Sequence, residues 1–230
     1  MKKIGLVGGT GPESTVMYYK ALNALVDEAT GGACMPEIAI ESVDFRKTWA
    51  QICEGRHLDL AAYLSEKVML LKRSGAEVMA LTAVTMHMVC DKIEEQTQVS
   101  LVRIPEAVCE VAAVRGYQCV GLLGTAATMD GDFMKRAFLD AGMKIVVPDK
   151  EDCALVAKRI FEELEFGIVK ESTRQELHAI IKKMRDRHGI EAVVLGCTEL
   201  PLILHDGNTP LPCLDSAKIH IEKLAALACG

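Results

Sequence analysis

Short apolar runs alternate with longer stretches of helical periodicity along this chain. The runs predict strands at Ile4–Val7, Glu37–Ser42, Val78–Leu81, Leu101–Ile104, Val120–Leu123, Lys144–Val147, Ala192–Leu195 and Leu211–Leu214. The amphipathic stretches predict helices at about 13–29, 58–74, 86–96, 105–115, 130–141, 151–165, 171–187 and 215–228. Regular strand–helix alternation implies parallel sheets covered by helices on both faces.

The pattern also repeats. Ile4-Gly5-Leu6-Val7-Gly8 matches Val120-Gly121-Leu122-Leu123-Gly124, at an offset of about 116 residues. Val78-Met79-Ala80-Leu81, running into Thr82-Ala83-Val84-Thr85, matches Ala192-Val193-Val194-Leu195, running into Gly196-Cys197-Thr198-Glu199, at about 114. Two matched pairs at nearly one offset predict two similar lobes. The expected fold is therefore α/β: two pseudo-symmetric lobes, each a parallel sheet flanked by helices. Residues 1–97 plus 207–230 would form the first lobe and 98–206 the second. Open α/β sheets bind ligands beyond the carboxyl ends of their strands. The active site is thus expected in the cleft between the lobes, with Ala83 and Cys197 at equivalent points on its two walls.

Composition narrows the function. Of 230 residues, 50% are apolar and 25% charged, enough for a sizeable core. Aromatics at 4% and a net charge of -6 argue against a nucleic-acid partner, while leaving room for a small anionic substrate in a locally positive pocket. No run reaches the roughly 18 apolar residues of a membrane span. The apolar run after Met1-Lys2-Lys3 breaks at Gly8-Gly9-Thr10-Gly11-Pro12, too soon for a secretory leader. The nine cysteines include no CxxC pair and no Cys/His cluster, so zinc and other metals are not expected. Free thiols and a cytoplasmic location follow from that reading.

Two motifs carry chemistry. Gly8-Gly9-Thr10-Gly11-Pro12-Glu13-Ser14-Thr15 follows a strand and opens a helix. Its small residues let a ligand approach the backbone, and helix amides favour an anion. It lacks the Gly-Lys-Ser/Thr of a P-loop and the third glycine of a dinucleotide fingerprint. Leu195-Gly196-Cys197-Thr198-Glu199-Leu200 places a thiol at a strand end before an expected helix, whose amides would lower its pKa. Thr85 is suited to hydrogen-bonding a carboxylate, and Arg46 to a two-pronged carboxylate contact. His87 is read as a structural residue that satisfies helix polar groups.

On these residues the sequence resembles the aspartate/glutamate racemase superfamily over nearly its whole length. The resemblance rests on 8–15, Ser42-Val43-Asp44-Phe45, Thr85-Met86-His87, and Gly196-Cys197-Thr198-Glu199 followed by Asp215. It implies a racemase of aspartate or glutamate that uses no cofactor, forms a homodimer, and moves the α-proton between two thiols. Cys197 would be one acid/base, with Thr10, Arg46, Val84, Thr85 and Thr198 around the substrate. The family's first lobe carries Cys-Asn-Thr-x-His, so its cysteine falls at Ala83 and its asparagine at Val84. Some members have threonine at the first of these. Alanine has no proton to give or take, so one base is missing. An engineered substitution accounts for that. The alternatives are a single-cysteine decarboxylase of a malonate-like acid and a non-catalytic protein that binds acidic amino acids.

Overall fold

The first apolar run forms β1 (Ile4–Gly8), buried at every position. A parallel strand covered on both faces needs such an uninterrupted run. A computed structural model describes residues 1–230, which divide into Met1–Arg103 with His220–Gly230, and Ile104–Ile219. In the first unit, α1 (Pro12–Ala29) buries Ser14, Tyr18, Leu22 and Val26, one face at four-residue spacing. Then come β2 (Ile38–Ser42), α2 (Phe45–Cys53), α3 (His57–Arg73), β3 (Val78–Leu81), a 3-10 turn (Val84–Val89) and α4 (Cys90–Thr97). The strands are parallel in the order β2-β1-β3. The core gathers Val7, Leu64, Val68, Leu81 and Ile93 between β1, β3, α3 and α4. A Cβ built on Gly5 would lie 2.8 Å from the Ala76 Cβ, so glycine lets the chain after α3 close onto β1.

The second unit begins with α5 (Ile104–Val114) and β4 (Cys119–Gly124). It continues with α6 (Ala126–Asp130), α7 (Phe133–Asp140), β5 (Lys144–Val146), α8 (Lys150–Glu162), α9 (Glu171–His188), β6 (Ala192–Gly196) and β7 (Cys213–Asp215). Its sheet is parallel in the order β5-β4-β6-β7. Leu123, Val156, Leu177, Ile181, Val193 and Leu195 centre its core. The last helix, α10 (Ser216–Cys229), starts in this unit and ends in the first.

The two sheets share one topology. In each, the first strand is central, the second pairs on one side and the third on the other. Register extends the match: Val7 pairs with Leu81, and Leu123 with Leu195. Positions 83 and 197 each lie two residues beyond these pairs, so they are topologically equivalent.

Several elements differ from the sequence reading. Leu101–Ile104 is not a strand; only Val102 bridges to Ala80, and Ile104 already opens α5. Arg103 is drawn aside by Asp91 and Glu94, each at 2.6 Å, and Pro105 lacks the amide a ladder needs. The stretch 86–96 divides into the 3-10 turn and α4, and 130–141 divides at Gly131-Asp132 into α6 and α7. Helix α2 was not anticipated; Asp44 caps it by accepting from the amides of Arg46 (2.9 Å) and Lys47 (3.2 Å). The units meet at 103/104 and 219/220 rather than 97/98 and 206/207. Residues 207–219 stay with the second unit because β7 pairs with β6, Val193 opposite Cys213.

Candidate active site

In the first unit the Gly8–Pro12 turn is fixed by close packing. Gly9 has φ +89, and a Cβ there would lie 2.5 Å from Ser42 Oγ and 2.6 Å from the Val43 carbonyl oxygen. Only glycine accepts both the backbone and the contact. The Gly9 amide donates to Thr15 Oγ1 at 2.8 Å, and the Val43 amide to the Gly8 carbonyl at 2.9 Å. Thr10 is partly exposed at the tip of this turn. Gly11 provides no side-chain cap for α1. Arg46 lies in the first turn of α2 with an exposed side chain, immediately after Asp44 and Phe45.

At the end of β3, Thr82 is buried, Ala83 and Thr85 are partly exposed, and Val84 is 6% exposed. Ala83 is extended, with φ -122 and ψ 132. Three successive carbonyls are held by side chains. Ser14 Oγ donates to Thr82 O at 2.9 Å, and His87 Nδ1 lies 3.1 Å from Ala83 O and 3.2 Å from Val84 O. Carbonyls only accept, so His87 Nδ1 carries the proton. Burial lowers the His87 pKa to about 4, against the stabilising effect of those carbonyls.

In the second unit, Gly124 and Gly196 end neighbouring strands, and Thr128 wedges against both. A Cβ on either would come 3.0 Å from the Thr128 methyl. Thr125 caps α6, its hydroxyl 3.0 Å from that of Thr128. Cys197 follows Gly196. Its Sγ donates to Glu199 Oε2 at 2.6 Å, and Thr198 Oγ1 donates to Glu199 Oε1 at 2.7 Å. One carboxylate therefore binds both neighbours in the motif. Burial pushes the Cys197 thiol well above its ordinary value, and the charges of Glu199 and, more weakly, Glu165 push it further. Glu165 is itself raised, first by burial and then by Glu199. The expected helix after Cys197 is only a 3-10 turn at Leu200–Leu202, so no helix N-terminus lowers this thiol. These effects favour the thiol form of Cys197 over the thiolate. Ser216 Oγ anchors the strand by donating to Leu195 O at 2.6 Å. Asp215 caps α10 through the Lys218 amide at 3.0 Å, and burial raises its pKa.

The anticipated residues thus fall into two sets: Thr10, Arg46, Ala83, Val84 and Thr85 on the first unit, Cys197 and Thr198 on the second. Thr10 and Ala83 lie just beyond strand ends and Thr85 in the 3-10 turn, all three partly exposed, whereas Val84 is packed inward. Glu199 and Glu165 were given no role in the sequence reading. Glu199 stood inside the cysteine motif, two residues from the thiol. Glu165 has no spacing signal that links it to Cys197.

No helix is long and apolar enough to cross a membrane. The Asp/Glu/Hydantoin racemase family model matches residues 7–224. A Yersinia pestis protein provisionally assigned as an Asp/Glu racemase is 34% identical, with both chains covered at 100% and a TM-score of 0.95. An aspartate racemase homologue from Pyrococcus horikoshii is 39% identical, again at 100% of both chains, with a TM-score of 0.88. Picrophilus torridus aspartate racemase shares the fold at 19% identity and a TM-score of 0.75, over 99% of this chain and 94% of its own. A family match that runs from β1 into α10, on a fold with a thiol motif at the end of β6, leads to one conclusion: this chain belongs to the Asp/Glu/Hydantoin racemase family.

Proposed function

We propose that this chain acts at the α-carbon of an acidic amino acid, aspartate or glutamate, by thiol acid/base chemistry without a cofactor. The observation that carries the reading is the equivalence of positions 83 and 197, each two residues beyond a matched strand pair. Inverting a stereocentre requires a proton-transfer group on each face of the carbon. Cys197 serves one face. Its bond to Glu199 gives the thiol proton a place to go when the substrate's α-carbon must be deprotonated. Position 83 serves the other face, and Ala83 leaves it without a proton carrier. Ala83 is read as an engineered replacement of cysteine or threonine, which leaves racemisation impaired.

Substrate positioning falls to Thr10, Thr85, Thr198 and nearby amides for the α-carboxylate, with Arg46 for the distal one. Val84, though packed inward, contributes its backbone to this end. The active form is a cytoplasmic homodimer in this reading, which sedimentation of the purified chain checks. The test of the chemistry is deuterium exchange at the α-carbon in heavy water, followed by proton NMR. One enantiomer of aspartate or glutamate exchanges, Cys197→Ser abolishes it, and net inversion is at background. Equal exchange of both enantiomers contradicts a single-thiol site. Ala83 is also what a one-thiol decarboxylase would carry; carbon dioxide release from a malonate without amino-acid exchange would favour that reading.

A further inference from the structure

The end of β3 is held by side chains as well as by its own turn. At its start the 3-10 turn contributes a long backbone bond, from the Met86 amide to Ala83 O at 3.3 Å. Side chains add to it: Ser14 on the carbonyl of 82, and His87 on those of 83 and 84. Behind His87 lies a second buried imidazole. His220 is 0% exposed, and its ring meets that of His87 edge to face, centroids 6.3 Å apart and planes at 79°. His220 is fixed at both nitrogens. Nε2 donates to the Val102 carbonyl at 2.8 Å, so Nδ1 accepts from the Tyr18 hydroxyl, also at 2.8 Å. Tyr18 is fully buried and packs edge-on against His220 at 5.7 Å. All of these residues belong to the first unit.

The Cys197 end is built differently. Its carbonyl accepts from the Leu200 amide at 3.3 Å, the Cys197 and Thr198 side chains both donate to Glu199, and Ser216 holds the carbonyl of Leu195. The imidazole support belongs to position 83 alone.

We propose that His87, backed by His220 and Tyr18, is the positioning residue for the side chain at position 83. By fixing two successive carbonyls it fixes the direction of the 83 Cα–Cβ bond, and so the aim of any proton-transfer group carried there. The role rests on the proposed two-face chemistry. It differs from a merely structural one because it affects one face of the substrate and not the other. Misplacing a reacting group by about 1 Å costs on the order of 100-fold in rate.

The test uses full-length chains in two backgrounds. With Ala83→Cys, His87→Asn keeps an amide donor near the Nδ1 position, and His87→Leu removes it. The expected result is racemisation within about threefold for the asparagine variant and about 100-fold lower kcat for the leucine variant, a fall larger than any rise in KM. In the Ala83 background, at saturating substrate, His87→Leu leaves the maximal rate of Cys197-dependent α-deuterium exchange within about threefold. Equal loss in both His87 variants, no loss in the leucine variant, or loss of the Cys197-dependent exchange overturns the proposal. Amide hydrogen exchange of the 82–88 peptide provides an independent arm: faster exchange in His87→Leu, and in the milder Tyr18→Phe, is expected. Unchanged exchange in both also overturns it. If Ala83→Cys with native His87 racemises nothing, the site reading fails, and the amide exchange still decides the positioning claim.

Discussion

Replacing Glu199 by glutamine isolates what the carboxylate does to Cys197. The substitution keeps the shape and removes one negative charge that accepts the thiol proton at 2.6 Å. Burial, the largest cause of the raised thiol pKa, is untouched; the charge and hydrogen bond of Glu199 come next. A unit charge near 4 Å contributes about 1 kcal/mol in a water-like surrounding and about 4 kcal/mol at an effective dielectric of 20. Cys197 is partly exposed, which places the value inside that range. Glu199→Gln removes that contribution and lowers the thiol's pKa. The assay is iodoacetamide alkylation across pH, read by mass spectrometry on the Cys197 peptide. Exposed Cys34, Cys53 and Cys229 act as internal references. The Cys197 midpoint should fall, while the references do not move. An unchanged or higher midpoint refutes the assignment of Glu199 as the proton's acceptor.

Two further outcomes follow from the first unit. Gly9→Ala forces φ +89 on an L residue and drives a Cβ to 2.6 Å from the Val43 carbonyl, so unfolding free energy in urea should fall by on the order of 2 kcal/mol or more; an unchanged midpoint contradicts the packing described. His87 and His220 have folded pKa values lowered to about 4 and about 3, chiefly by burial, so the unfolded chain binds more protons below its ordinary histidine pKa. Their contribution is fully present above about pH 6.5 and is lost as pH falls toward 4 and 3, on the order of 3 kcal/mol for His87 alone, and double replacement by asparagine should flatten stability against pH in that window.

Strands and long helices were legible because parallel strands are apolar throughout and helices such as α1 bury one face at regular spacing. Helix α2 was not, since Phe-Arg-Lys-Thr-Trp mixes aromatic and charged residues without a clear stripe and buries only Thr48 and Gln51. Its one signal was Asp44, without the Glu or Gln three residues on that completes a capping box. Leu101–Ile104 read as a strand from its apolar residues, but Arg103 and Pro105 act against a ladder there. Cys197 stood out by its strand-end position and its match to 83. The environment of that thiol did not, because it depends on Glu165 from a distant turn and on a helix that proved to be three residues of 3-10. The support of position 83 was equally hidden, since Tyr18, His87 and His220 are brought together only by folding.

The measurement that tests the central claim most directly is racemisation by the Ala83→Cys and Ala83→Thr chains. Each is incubated with a single enantiomer of aspartate or glutamate, and the enantiomer ratio is followed by chiral chromatography. At least one of the two variants should bring one of these amino acids toward equal L and D in both directions, while Ala83 and Ala83→Cys/Cys197→Ser stay at background. If neither variant inverts either amino acid, position 83 and Cys197 are not the two proton-transfer positions of one site.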